Sequence, residues 1–253
     1  MSLRYNELIE SSAKEKDLVK AIIAKITGLS TYITCEEDPD DEYDESTAGS
    51  SHVPEFNIKA NSKDFFTIKR KAALSSTAKE FTMTIYLSET VSVTKDIPFS
   101  NDATAHSVDA NRSLYISYLI SNTFFGIHFK RGNSNNFMAF FAMSAAKCFK
   151  AGKAVGNTTA DIFNISSCSF YDTDSTDVGT FVSRFSYAVA QGTLDYIKSS
   201  VYHDGSSGSS DLCIKIFDIN SIYDCTTVTV GDTISLEDGN YLAVSTHQLI
   251  KIS

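Results

Sequence analysis

Apolar and polar positions alternate most regularly between Phe81 and Ser88, where Phe81, Met83, Ile85 and Leu87 interleave with Thr82, Thr84, Tyr86 and Ser88. A period of two puts the two sets on opposite faces, so this segment reads as a half-buried β-strand. Phe181, Phe185, Tyr187 and Val189 repeat the pattern against Arg184 and Ser186. The stretch from Arg112 to Phe149 is denser, with three apolar and aromatic runs and a Gly-Asn-Ser-Asn-Asn reversal at 132–136 between the second and third. Gly and Asn tolerate positive φ, so the reversal predicts a pair of strands at the centre of a sheet.

Further strands are expected at 55–60, 64–71, 90–95, 161–171, 194–202, 212–219, 226–230 and 240–252, joined by breaks rich in Asn, Asp, Ser and Gly such as 203–210 and 237–240. Strands at this spacing with no helices between them indicate a mainly β protein, an antiparallel β-sandwich or barrel. A boundary between two β units fits 151–158, and no internal repeat is visible.

The period changes once. Within 3–27, Leu18, Val19, Ile22, Ile23 and Ile26 recur at spacings of three and four, while Lys14, Glu15, Lys16, Lys20 and Lys25 stay outside that stripe. This predicts an N-terminal amphipathic α-helix stopped by Gly28, and Ser12 with Glu15 has the capping-box spacing that allows a break near Ser11. The stripe needs a surface. Its own sheet is one choice, and another subunit is the other, which makes Leu18, Val19, Ile22, Ile23 and Ile26 the candidate partner-binding residues. The chain then divides into a helical segment at 1–34, an acidic linker or loop at 35–52 and an antiparallel β body at 53–253.

Composition alters this outline at one place. Of the net charge of −9, the eight carboxylates between Glu36 and Glu45 account for all but −1. The rest of the chain is nearly neutral, and its longest basic cluster is Lys69-Arg70-Lys71, so it lacks the clustered cations a nucleic-acid surface needs. That triplet reads as the solvated end of a strand. The acidic run, mixed with Pro, Gly and Ser, reads as exposed and dispensable for folding. From Asp38 its acids fall at calcium-loop positions, but Tyr43 and Gly49 stand where that loop needs Gly and Glu, so it is not an EF-hand. Otherwise the 253 residues, 42% apolar with 17 Phe and 12 Tyr, are those of a folded protein large enough for a real core.

Candidate chemistry is sparse. Five cysteines (35, 148, 168, 213 and 225) form no CxxC pair and read as buried free thiols. Five histidines (52, 106, 128, 203 and 247) are scattered singly, which gives no metal-ligating set, and His128 reads as a hydrogen-bonded strand residue. Asp172-Thr-Asp174-Ser-Thr176 has the DxDxT shape of a phosphotransferase nucleophile loop, yet the alternating helices and parallel strands that such a loop requires are missing, and a polar turn explains the same residues. Gly152-Lys153 lacks the remaining residues of a phosphate loop, and no GxSxG occurs. No catalytic, cofactor-binding or metal residues are therefore assigned.

Tyrosines are available to stack on sugars at Tyr115, Tyr118, Tyr171, Tyr187, Tyr196, Tyr202 and Tyr241, although Tyr is also a favoured strand residue. Loops at 101–111, 132–136, 172–180 and 203–211 are the places where such a site would sit. The first residues, MSLRYNELIESS, have no apolar core of the signal-peptide kind, and no run approaches the apolar length of a membrane span. Synthesis in a cytoplasm is expected.

The closing run from Val228 to Ser253, with the Asn, Ser and Thr surface of 53–253 as a whole, is similar in style to β-rich structural proteins of phage and prophage virions. That resemblance implies a non-enzymatic component of a tail or baseplate, synthesised in the host cytoplasm and carried in the virion. Its partners would be other virion proteins and copies of itself, with a host surface glycan as a further ligand. A glycan- or receptor-binding β module is the alternative.

Overall fold

The computed structural model describes residues 2–8, 15–76, 80–98, 114–120, 122, 124–131, 135–143, 148–155, 169–174, 178–191, 194–204, 214–215, 222–225, 228–245 and 248–252. Among them the architecture is mainly β and antiparallel, as expected, with eighteen strands in a five-stranded and a thirteen-stranded sheet.

The smaller sheet is a meander in chain order: β2 (Ile33–Cys35), β3 (Glu55–Ala60), β4 (Lys63–Arg70), β5 (Glu80–Tyr86) and β6 (Ser92–Pro98). Strands β3 to β6 fall on expected strand segments, β2 lies where none was expected, and Phe81, Met83 and Ile85 of β5 are buried. The larger sheet begins with β1 (Ser2–Leu8), followed across by β7 (Leu114–Ile120), β8 (Phe124–Arg131), β9 (Asn135–Met143), β10 (Cys148–Val155), β11 (Ser169–Asp172), β12 (Val178–Gln191) and β13 (Leu194–Asp204). It continues through β15 (Ile222–Cys225), β18 (Gln248–Lys251), β17 (Gly239–Ser245) and β16 (Thr233–Leu236), while β14 (Ile214–Lys215) pairs with β13. Residues 151–155, expected to begin a boundary between β units, belong to β10, which is hydrogen-bonded to β9 and, over its first residues, to β11.

The two sheets pack face to face through phenylalanine. Phe125 lies opposite Phe141, and Phe129 opposite Phe137, across the β8–β9 ladder. Against them β4 sets two consecutive aromatics, because a register shift between Ile58 and Lys59 leaves Phe65 without an opposite residue. A bulge breaks the strict alternation of faces, so Phe65 and Phe66 both reach the core. Phe65 meets Phe125 and Phe141 at centroid distances of 5.7 and 5.5 Å, and Phe66 meets Phe129 and Phe137 at 6.0 Å each. The β7–β9 segment is buried on both faces almost throughout, which is why its sequence reads as continuous apolar runs and not as alternation.

Helix α1 (Glu15–Thr27) buries Leu18, Val19, Ile22, Ile23 and Ile26 in this same core beside Ile33 and Phe56. The stripe is thus covered by the chain's own β-strands and offers no surface to a partner. The helical expectation also began too early: residues 2–8 form β1, paired with β7 through Leu3 with Leu119 and Leu8 with Tyr115. Without β1, the outer edge of β7 would leave its N–H and C=O groups open, and pairing them outweighs a weak local helix preference.

Arg70 ties helix to sheet. Its Nε donates to Glu15 Oε1 at 2.8 Å, Nη1 to the carbonyls of Ala72 and Ala73, and Nη2 to Ser76 O, and both members of the ion pair are buried. Tyr43, from the acidic run, donates its hydroxyl to the same Glu15 oxygen at 2.8 Å and stacks on Phe56.

Six of the eight carboxylates of the run, Glu36, Asp38, Asp40, Asp41, Asp44 and Glu45, are exposed as expected, but specific contacts hold the segment in place. Asp38 caps the short helix α2 (Pro39–Glu42), accepting from Asp40 N at 2.8 Å. Asp40 pairs with Lys16 and Lys20, and Glu36 with Lys59. Glu42 receives His52 Nε2 at 2.7 Å and Glu55 N at 3.2 Å. Burial pushes the Glu37 carboxyl upward, but hydrogen bonds from Asn57 N and Nδ2 leave it lowered on balance. The run is a loop pinned to α1 and β3, because Glu36, Glu37, Asp40 and Glu42 find partners outside it, while Asp38 and Asp44 bond locally.

Candidate functional site: a cleft beside the β5–β6 turn

The alternation that buries Ile85 turns Tyr86 outward, where it is 59% exposed. The chain then reverses over 87–91: Leu87 N donates to Val91 O at 2.8 Å, and Ser88 Oγ accepts from Val91 N at 3.1 Å. Leu87 folds back into the core, which fixes the turn against the larger sheet. Facing it is the end of β11. Asp172 lies opposite Phe149 of β10, Thr173 N donates to Cys148 O at 2.9 Å, and Asp172 Oδ1 accepts from Asp174 N at 3.0 Å.

Between these two turns lies a cleft of about 450 Å³, lined by Tyr86, Leu87, Ser88, Glu89, Lys150, Asp172, Thr173 and Asp174. Asp172 is only 4% exposed and locked as the cap of its turn. Asp174 is outside, 2.6 Å from Lys63 Nζ, which keeps that lysine's pKa raised. Lys150 crosses the floor from β10, with Nζ 3.5 Å from the carbonyl of Asp64, and burial lowers its pKa. Carboxylate acceptors, an ammonium donor and an aromatic face are thus brought together.

Asp172 and Asp174 are the sequence candidates found here. They form a polar turn between antiparallel strands, with one carboxylate holding the turn and the other holding Lys63. Gly152 and Lys153 lie within β10, and His128 is a buried β8 residue whose pKa burial lowers to about 4. Each cation of the Lys69-Arg70-Lys71 triplet is neutralised, by Glu55, by Glu15 and by Glu80 with Asp96. Cys148 is buried, and burial of the half-buried Cys35 pushes its thiol up to about 12. Among the described residues no group of three His, Cys, Asp or Glu is placed to hold a metal, and no helix is long and apolar enough to cross a membrane.

Of the tyrosines, Tyr118 and Tyr241 are buried and Tyr115 and Tyr171 half-buried, while the side chains of Tyr187, Tyr196 and Tyr202 lie outside the described set. So do the loops at 101–111 and 205–211 and residues 132–134. Sequence reading missed Tyr86 by placing it on the polar side of an alternating strand. The signal was there: an aromatic in the outward phase two residues before Ser88-Glu89-Thr90. Comparison with family models, curated proteins and solved structures found no match.

Proposed function

We propose that this chain is a non-enzymatic structural component of a phage virion, of the tail or baseplate, acting by assembly with copies of itself and other virion proteins. The observation that carries the assembly part is the edge at β16. This strand ends the larger sheet, pairs only with β17 among the described residues, and reads Thr-Ile-Ser-Leu with neither Lys nor Pro to guard it. Edge strands are usually blunted by such residues, and an unguarded one accepts a further strand. By contrast, β6 carries Lys95 and Pro98. Ser235 is exposed on β16 while Ile234 and Leu236 pack inward on Tyr241, Ala243 and Leu249.

Oligomers of one chain are usually closed and symmetric. Size-exclusion chromatography with light scattering is expected to give such an oligomer, and Ser235→Lys is expected to shift it toward a monomer that keeps the β circular-dichroism spectrum of the wild type. A wild-type monomer that also captures no tail or baseplate protein overturns the proposal. A second reading, a glycan- or receptor-binding β module, is favoured by the exposed Tyr86 at the rim of a polar cleft.

A further inference from the structure

We infer that the cleft between the β5–β6 turn and the end of β11 is a binding site for a neutral saccharide, an inference that rests on the glycan-binding reading. Its volume of about 450 Å³ falls within the range of small-molecule sites, roughly 300–1,000 Å³. Two of the large apolar side chains left exposed among the described residues, Tyr86 and Val91, flank this one turn. The face of Tyr86 offers the C–H face of a sugar ring an apolar contact, with the phenol hydroxyl left to the solvent side.

The polar lining fits hydroxyl groups. A sugar hydroxyl donates one hydrogen bond and accepts up to two, and here Glu89, Asp172 and Asp174 accept while Lys150 donates. An ammonium group has three donors, and among the described residues Lys150 makes one long hydrogen bond, to Asp64 O at 3.5 Å. Thr173, also on the lining, has a buried hydroxyl oxygen with no hydrogen-bond partner among the described residues. These groups are held by the fold, since Asp172 caps its own turn and Asp174 is set by Lys63. With Lys63 paired to Asp174, three carboxylates stand against two ammonium groups, so the local charge is still negative and disfavours acidic sugars.

The test is an array of neutral, sialylated and sulfated oligosaccharides probed with the full chain, followed by calorimetric titration of the strongest neutral hit. Retention of neutral glycans is expected, and Tyr86→Ala and Asp174→Asn are each expected to weaken binding about tenfold with an unchanged thermal midpoint. Neutral glycans retained equally by wild type and Tyr86→Ala place the sugar elsewhere and overturn this site while leaving the glycan-binding reading standing. Retention of no neutral glycan overturns both. Preference for sialylated or sulfated sugars, or binding of spermine in place of any saccharide, also overturns the proposed specificity.

Discussion

Gly152 of β10 lies so close to Ile85 of β5 that a Cβ built on it would stand 2.2 Å from Ile85 Cγ2. A side chain of the smaller sheet rests there directly on the backbone of the larger one. A methyl group at this position forces the β5 strand and β10 apart, along with the turn that carries Tyr86. Gly152→Ala is expected to lose about 1–3 kcal/mol by overpacking, although removing a glycine from a strand would otherwise stabilise. Denaturant unfolding measures it, and because the clash is with the Cγ2 branch, Gly152→Ala should cost less in an Ile85→Leu background, which lacks that branch.

The acidic run is expected to be structural. Tyr43→Phe removes one donor from buried Glu15 and keeps the ring on Phe56, so a loss of about 1–2 kcal/mol is expected. Deleting Glu36 to Glu45 should cost more and lower the thermal midpoint by several degrees, the opposite of what an exposed linker would do. An unchanged midpoint in the deleted protein would show that these contacts contribute nothing.

His128 supplies a pH dependence of defined sign. Burial holds its folded pKa at about 4 against the ordinary 6.5, so below 6.5 the unfolded chain binds a proton that the folded chain does not. Stability is complete above that pH and falls as pH drops toward 4, by up to about 3 kcal/mol. His128→Gln should remove this component between pH 6.5 and 4.5, leaving the carboxylate part. Parallel slopes for wild type and variant would contradict it.

The β3–β4 hairpin turns on Asn61 and Ser62, with φ of 50° and 62°. Positive φ at both positions suits Asn first and Gly second. Ser62→Gly is expected to stabilise by about 1 kcal/mol, and Ser62→Val to destabilise by at least as much, both read from the denaturant midpoint.

What the sequence made legible was whatever one strand or helix decides alone. The alternation of Phe81, Met83 and Ile85, the Leu18 to Ile26 stripe and the reversal after Arg131 all depend on near neighbours, and all are found. What escaped depends on partners distant in the chain. Residues 2–8 become a strand because β7 offers an edge, and Glu37 is ordered because Asn57 lies across from it. Phe65 and Phe66 share a face only because of a bulge set by β3. The cleft joins residues 86–89 to 150 and 172–174, a meeting that no local pattern encodes.

The pairing of β1 with β7 also orders events in time. Ser2 takes its place against Ile120, so during synthesis at about 5–20 residues per second the first strand waits for several seconds before its partner leaves the ribosome. The smaller sheet, a meander of neighbouring hairpins, has no such delay. Its apolar face and the stripe of α1 can meet first, forming a platform on which β7, β8 and β9 then settle. The strand at 2–8 is therefore made well before β7, the partner it must wait for.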